Sequence, residues 1–148
     1  MDEELPEPGI TAERTFRVEP RHATVLFGEQ TEPPGLPAAA DADPDESIGV
    51  LGTPQLLAEV EFLGRESLRG HLPESTGVVG VDAEVTHSRA VPVGESVSVR
   101  TEVTDVTDRT ITVAGDLSLA DSGASVGDVR NRLRVVRRAA FANRIPSR

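Results

Sequence analysis

The sequence predicts an α+β fold, an antiparallel β-sheet wrapped around one central α-helix. Three observations carry this. A β-like stretch runs from Arg14 to Phe27, a single long amphipathic helix starts at Thr53, and everything after Gly77 divides into strand-type segments separated by short turns. One helix with one apolar stripe must bury that stripe, and the sheet face is the only surface large enough to receive it.

Taken in order, residues 1–13 carry two prolines and five acids and read as a disordered acidic lead. The first strand region follows with Thr15, Phe16, Val18, Thr24, Val25, Leu26 and Phe27, interrupted near Glu19-Pro20. Residues 28–47 are rich in Pro, Gly, Ala and Asp without periodicity, and a loop of that length inside a compact domain is commonly a lid or a substrate-facing segment. The helix then spans Thr53 to about Leu72. Thr53 is placed to cap it, Pro54 suits its first position, and Pro73 marks its end. Winding it at about 3.6 residues per turn gathers Leu56, Leu57, Val60, Leu63 and Leu68 on one stripe, with Glu61 at the border and Phe62 on the opposite, wet side. Beyond it, Val79, Val81, Ala83 and Val85 alternate as one strand, and Val97, Val99 and Val103 as a second. Ile111, Val113, Leu117 and Leu119 give a third strand, and residues 126–136 a fourth. Strand, helix, then four antiparallel strands is the hotdog arrangement. The expected boundaries are the lead at 1–13, a hotdog domain at 14–137 and an arginine-containing tail at 138–148.

Composition narrows the chemistry. The 148 residues suffice for one domain and include no cysteine, so disulfides, thiolate nucleophiles and Cys-ligated metals are out of reach. The three histidines, His22, His71 and His87, lie far apart, and no metal site is expected. No apolar run approaches the ~20 residues of a membrane span, and the N-terminus lacks a signal-peptide pattern, so a cytoplasmic protein without membrane contact is expected. The net charge of −10 is concentrated in residues 1–50, with 12 acids against 3 arginines, and all fifteen basic residues are Arg. Residues 130–148 reverse the sign, with seven Arg and no acid. Few aromatics accompany that cluster and the whole chain is acidic, so nucleic acid is not an expected partner. The cluster reads first as a last strand with solvated arginines on one face, followed by a loose tail; the alternative reading is that some of these arginines meet the phosphates of a nucleotide-bearing substrate.

Two stretches carry a resemblance. Val50-Leu-Gly-Thr53-Pro-Gln-Leu-Leu-Ala-Glu-Val-Glu61 and Gly80-Val-Asp-Ala-Glu-Val-Thr-His87-Ser-Arg-Ala-Val-Pro-Val-Gly94 resemble the fluoroacetyl-CoA thioesterase family over residues 15–137. The resemblance lies in a Thr just before the central helix and a Glu eight residues on. A His follows thirty-four residues after the Thr, within a Thr-His-Ser/Thr-x-Ala-x-Pro-x-Gly segment. It implies a hotdog acyl-CoA thioesterase with Thr53, Glu61 and His87 as reacting residues and Gly80 near the reacting carbonyl. No cofactor is implied beyond the coenzyme A of the substrate, and the expected assembly is a homodimer. The alternative from another class is a non-catalytic hotdog domain that binds an acyl-CoA or a partner.

The residue chemistry agrees with that implication. Hydrolysis of a thioester needs a nucleophile or activated water, a proton carrier and donors for the oxyanion. A carboxylate at the edge of an apolar stripe, an imidazole ending a strand and a hydroxyl at a helix N-terminus supply these parts. Each also has an ordinary role when taken alone. Thr53 caps a helix, His87 ends a strand, and Glu61 pairs with Arg65 one turn on in a surface contact worth ~0.3–0.5 kcal/mol. Their joint occurrence at the family spacing favours the catalytic reading. One departure stands out: residues 28–49 contain no Phe, whereas the fluoroacetate-hydrolysing member of the family builds an apolar lid from Phe in that segment. A different short- or medium-chain acyl group is therefore expected.

Overall fold

The computed structural model describes residues 4–146. Its elements, in chain order, are β1 Thr11–Arg17, β2 Ala23–Leu26, β3 Gln30–Thr31, β4 Pro34–Gly35, β5 Ile48–Leu51, α1 Thr53–Ser67, β6 Thr76–His87, β7 Ser96–Thr107, β8 Thr110–Leu119, β9 Ser125–Arg137 and α2 Arg138–Asn143. Five strands form one antiparallel sheet in the order β1-β7-β8-β9-β6, while β2 pairs with β5 and β3 with β4. The sheet curls around α1, which is the hotdog fold.

Alternation explains why the sheet has a single buried face. Along β9 the residues Gly127, Val129, Asn131, Leu133 and Val135 are buried, while Asp128, Arg130, Arg132 and Arg134 between them are exposed. Onto this inner face α1 lays Leu56, Val60 and Leu63, with Leu68 just beyond its last turn, all buried against Val97, Val99, Val103, Ile111, Val113 and Leu117. Small residues let the layers approach closely. A Cβ on Gly115 would stand 2.5 Å from Val60, one on Gly64 would stand 3.1 Å from Val113, and one on Gly127 would stand 2.7 Å from Leu56. The helix is thereby fixed in register over the sheet, and that register positions the site.

Several expectations change. The lead does not extend to residue 13: β1 begins at Thr11, opposite Glu102, and Gly9 already donates to the Val103 carbonyl at 2.8 Å. The edge of β7 needs a hydrogen-bonding partner, and residues 9–17 supply it; residues 1–3 lie outside the described residues. The helix closes at Ser67, with Leu68 as its C-cap and Gly70 in the left-handed region at φ 85°. Its N-cap is Gly52, not Thr53, because the chain enters from β5 with the Gly52 N–H on the His22 carbonyl at 2.9 Å and no room for a Cβ beside Thr24. Thr53 is the first helical residue and Pro54 the second. The tail at 138–148 opens with α2, whose first residue is tied to the sheet by Arg138 N–H to Ser75 O at 2.9 Å; residues 147–148 lie outside the described residues. Within the expected loop at 28–47 the chain makes the small β3–β4 hairpin and a 3-10 turn at Pro44–Glu46.

The alternation expected for β6 is also broken. Its inward residues are Val78 and Gly80, then Ala83, Val85 and His87, because a bulge at Val81 separates the pair Gly80–Leu133 from the pair Asp82–Arg132. Val79 shares the outer face with Arg134, and Val81 is exposed.

Candidate active site

The N-terminus of α1 and the end of β6 meet at one place. Thr53 presents its hydroxyl to the side because Gly52 has taken the capping position. His87 is held at the strand end by the next two residues, whose N–H groups both reach the Val126 carbonyl, Ser88 at 2.9 Å and Arg89 at 3.3 Å. Thr53 Oγ1 and His87 Nδ1 are hydrogen-bonded at 2.9 Å. The other ring nitrogen, Nε2, is buried and has no partner among the described residues. A buried ring nitrogen left unpaired costs free energy, and this one is free for a ligand or an incoming side chain.

Beside this pair lies a cavity of about 590 Å³ lined by Thr24, Leu26, Val50, Thr53, His87 and Arg89, among others. The wall made by Thr24 and Leu26 also bounds a second cavity of about 680 Å³, whose far side is Phe27, Pro33, Pro34 and Leu36. The proline-rich lining drawn from residues 28–39 thus belongs to the second cavity, across the Thr24–Leu26 wall from the Thr53–His87 pair. Arg89 is a cationic wall residue that sequence reasoning missed; it falls on the unspecified position of the Thr-His-Ser-x-Ala segment. Leu26 and the prolines carry no pattern beyond composition.

Glu61 and Gly80 meet elsewhere. The carboxylate of Glu61 lies over Gly80 so closely that a Cβ there would overlap it, at 2.9 Å from the carboxyl carbon. Glu61 is half-buried and forms no ion pair with Arg65 among the described residues. Eight residues along α1 put Glu61 about 12 Å from Thr53, and β6 runs about 20 Å between Gly80 and His87. The four residues therefore form two pairs at separate places within one chain. His22 and His71 stay outside both pairs. His22 is buried, with Nδ1 accepting from Glu19 N–H at 2.9 Å and its ring edge-on to Phe16 at 5.2 Å, and His71 is exposed in the turn after α1. Among the described residues no group of His, Asp and Glu is arranged to hold a metal, and no helix is long and apolar enough to cross a membrane.

Solved structures share this architecture. A thioesterase superfamily member from Thermus thermophilus superposes with a TM-score of 0.73 at 18% identity, over 94% of this chain and 89% of its own. A hot-dog-like protein from Thermanaerovibrio acidaminovorans gives 0.72 at 19% identity, over 95% and 91%. A mutant of the fluoroacetyl-CoA-specific thioesterase in complex with fluoroacetate and CoA gives 0.71 at 22% identity, over 91% and 98%. No curated protein matches the chain in sequence. The family profile described as fluoroacetyl-CoA-specific thioesterase matches residues 38–139, a span that holds Thr53, Glu61, Gly80 and His87. The chain belongs to the fluoroacetyl-CoA-specific thioesterase family.

Proposed function

We propose that this protein hydrolyses a short- or medium-chain acyl-CoA thioester to the free acid and CoA, as a cytoplasmic homodimer whose sites combine Thr53 and His87 of one subunit with Glu61 of the other. The observation that carries this is the bonded Thr53–His87 pair, with a vacant His87 Nε2, beside a cavity of about 590 Å³. β6 lies at the sheet edge, with one side unpaired among the described residues. A twelve-residue bare edge invites a second strand. Antiparallel pairing of two copies of β6 reverses their ends, bringing the Gly80–Glu61 region of one chain alongside His87 of the partner subunit.

In such a site the thioester carbonyl sits against the N-terminus of α1, where the Thr53 N–H and the positive end of the helix dipole stabilise the oxyanion; Pro54 has no N–H and that of Gln55 is bonded to the Gly52 carbonyl. Glu61 takes a proton from the water that adds to the acyl carbon, or itself adds to that carbon to give an acyl–Glu61 anhydride that water then hydrolyses to the free acid and the carboxylate. His87 passes a proton to the leaving CoA sulfur as the C–S bond breaks, and Thr53 fixes the ring through Nδ1. Water supplies the oxygen and both protons of the balance. The acyl chain extends past Leu26 toward the neighbouring cavity, whose far side is Phe27, Pro33, Pro34 and Leu36. Without a Phe in residues 28–49 that cavity leaves more room than a fluoroacetyl group requires.

The test is release of free thiol from a panel of acyl-CoAs. Turnover is expected on short or medium acyl chains, with Glu61→Gln and His87→Ala each at least ~100-fold slower. Cleavage of no thioester, with acyl-CoA still raising the melting temperature, would assign the chain to ligand binding instead.

A further inference from the structure

We propose that Asn131 is a positioning residue of this site, acting by holding the β6 bulge that keeps Gly80 and His87 on the same face. Gly80 and His87 are seven residues apart, and an odd spacing on a regular strand puts two residues on opposite faces. Both face α1 here, Gly80 under the Glu61 carboxylate and His87 on Thr53. The extra residue at Val81 corrects the parity. The competing register is a slip of one residue beyond Gly80. It would turn Ala83, Val85 and His87 outward and bring Asp82, Glu84 and Thr86 beneath the helix.

Two interactions oppose that slip, both on the residue that follows the bulge. On the outer face the Arg132 guanidinium forks onto the Asp82 carboxylate, with Nε to Oδ1 at 2.7 Å and Nη2 to Oδ2. On the inner face Asn131 Nδ2 donates to the Asp82 carbonyl at 3.1 Å. Asn131 is 1% exposed and interrupts a row otherwise made of Gly127, Val129, Leu133 and Val135. Its Oδ1 is buried without a partner. An amide with half its hydrogen-bonding capacity unmet is a poor core residue, and a leucine would pack there at no such cost. What the amide contributes, and a leucine does not, is the bond to the carbonyl at the bulge.

The experiment compares wild type, Asn131→Leu, a chain lacking Val81, and the two changes combined; Asn131→Ala replaces the leucine variant if that does not fold. Removing Val81 leaves Gly80 opposite Leu133 and Asp82 opposite Arg132 in regular alternation, so His87 faces inward with no bulge to hold. Two readouts are taken: the His87 ring signals in a nitrogen–proton correlation spectrum, with Thr53→Ala as the reference for a His87 without its partner, and turnover of an acyl-CoA. Asn131→Leu is expected to melt at or above the wild-type temperature. Its His87 signals should move toward those of the Thr53→Ala reference, and its turnover should fall about 10-fold or more with KM within about twofold. The combined variant is expected to recover both. Unchanged His87 signals in Asn131→Leu would overturn the proposal, and so would a loss that removal of Val81 fails to relieve. The turnover arm rests on the thioesterase reading and the ring signals do not, so a wild type that cleaves nothing leaves the role of Asn131 still decided.

Discussion

Thr53 and Gly80 are where single atoms decide the outcome. Because Gly52 caps α1, the Thr53 hydroxyl is spared for His87 Nδ1. Replacing an N-cap Thr by Ala ordinarily costs ~1 kcal/mol, whereas Thr53→Ala removes no cap but the exposed hydrogen bond to His87 Nδ1, where water can replace the hydroxyl, a loss of about 0.5 kcal/mol. Thr53→Ala is therefore expected to melt close to wild type in urea while losing ~10-fold in turnover, a smaller loss than at Glu61 or His87. A stability loss of a full capping interaction would show that the hydroxyl serves the helix instead. Gly80→Ala makes the complementary case. The added methyl overlaps the Glu61 carboxylate, and the position is exposed on an edge strand. Turnover should drop by ~10-fold or more because the carboxylate must move, with little change in chemical denaturation; unaltered rates would detach Gly80 and Glu61 from the chemistry. These residues were singled out in the sequence by the family resemblance. Their grouping was not legible there, since eight helical residues separate Thr53 from Glu61 by about 12 Å however well the motif matches.

At the level of elements, α1 was readable because its side chains repeat with the helical period: Leu56, Val60, Leu63 and Leu68 are buried as their spacing requires, and Phe62 on the opposite side is 52% exposed. β6 was misread for a matching reason. Val79, Val81, Ala83 and Val85 give a flawless alternation, and a bulge appears only in the pairing with β9, which one strand's sequence does not contain. The bulge has a further consequence that can be measured. The Arg132 guanidinium, through its hydrogen bonds, holds the Asp82 carboxyl below its ordinary value of 3.8, outweighing the partial loss of hydration that acts in the opposite direction. A carboxyl lowered in the folded state stabilises the fold above its unfolded value, and that contribution is lost as pH falls through the lowered one. Asp82→Asn should therefore melt below wild type at about pH 6, with the gap closing toward about pH 2.5. The pair is half-exposed, so added salt should narrow the gap as well. Equal melting temperatures at both pH values would remove the ion pair from the forces that hold β6.

On the scale of the whole molecule, one chain holds Thr53, His87, Glu61 and Gly80 as two separate pairs. Thr53 with His87 lines one cavity, and Glu61 with Gly80 lies about two helical turns away along the same edge strand. In the homodimer proposed above, a twofold axis near the middle of β6 would join the two pairs twice over, and its signature would differ from that of any single-chain site. In the proposed homodimer, Glu61→Gln and His87→Ala should each inactivate both sites. In a mixed dimer of the two variants, one site collects both lesions and the other collects none. Random exchange of subunits makes about half the dimers mixed, each with one intact site, so a refolded equimolar mixture should regain about one quarter of wild-type turnover. Each variant refolded alone should regain nothing. The high charge of the chain, −10, makes subunit exchange dependent on salt, so the mixing belongs at high ionic strength, where repulsion between like subunits is screened. Sedimentation then has to show a dimer under the same conditions. A dimer in which mixing restores no activity would place Glu61 and His87 in catalysis within one chain, or Glu61 outside it. A monomer that turns over acyl-CoA would remove the shared site altogether.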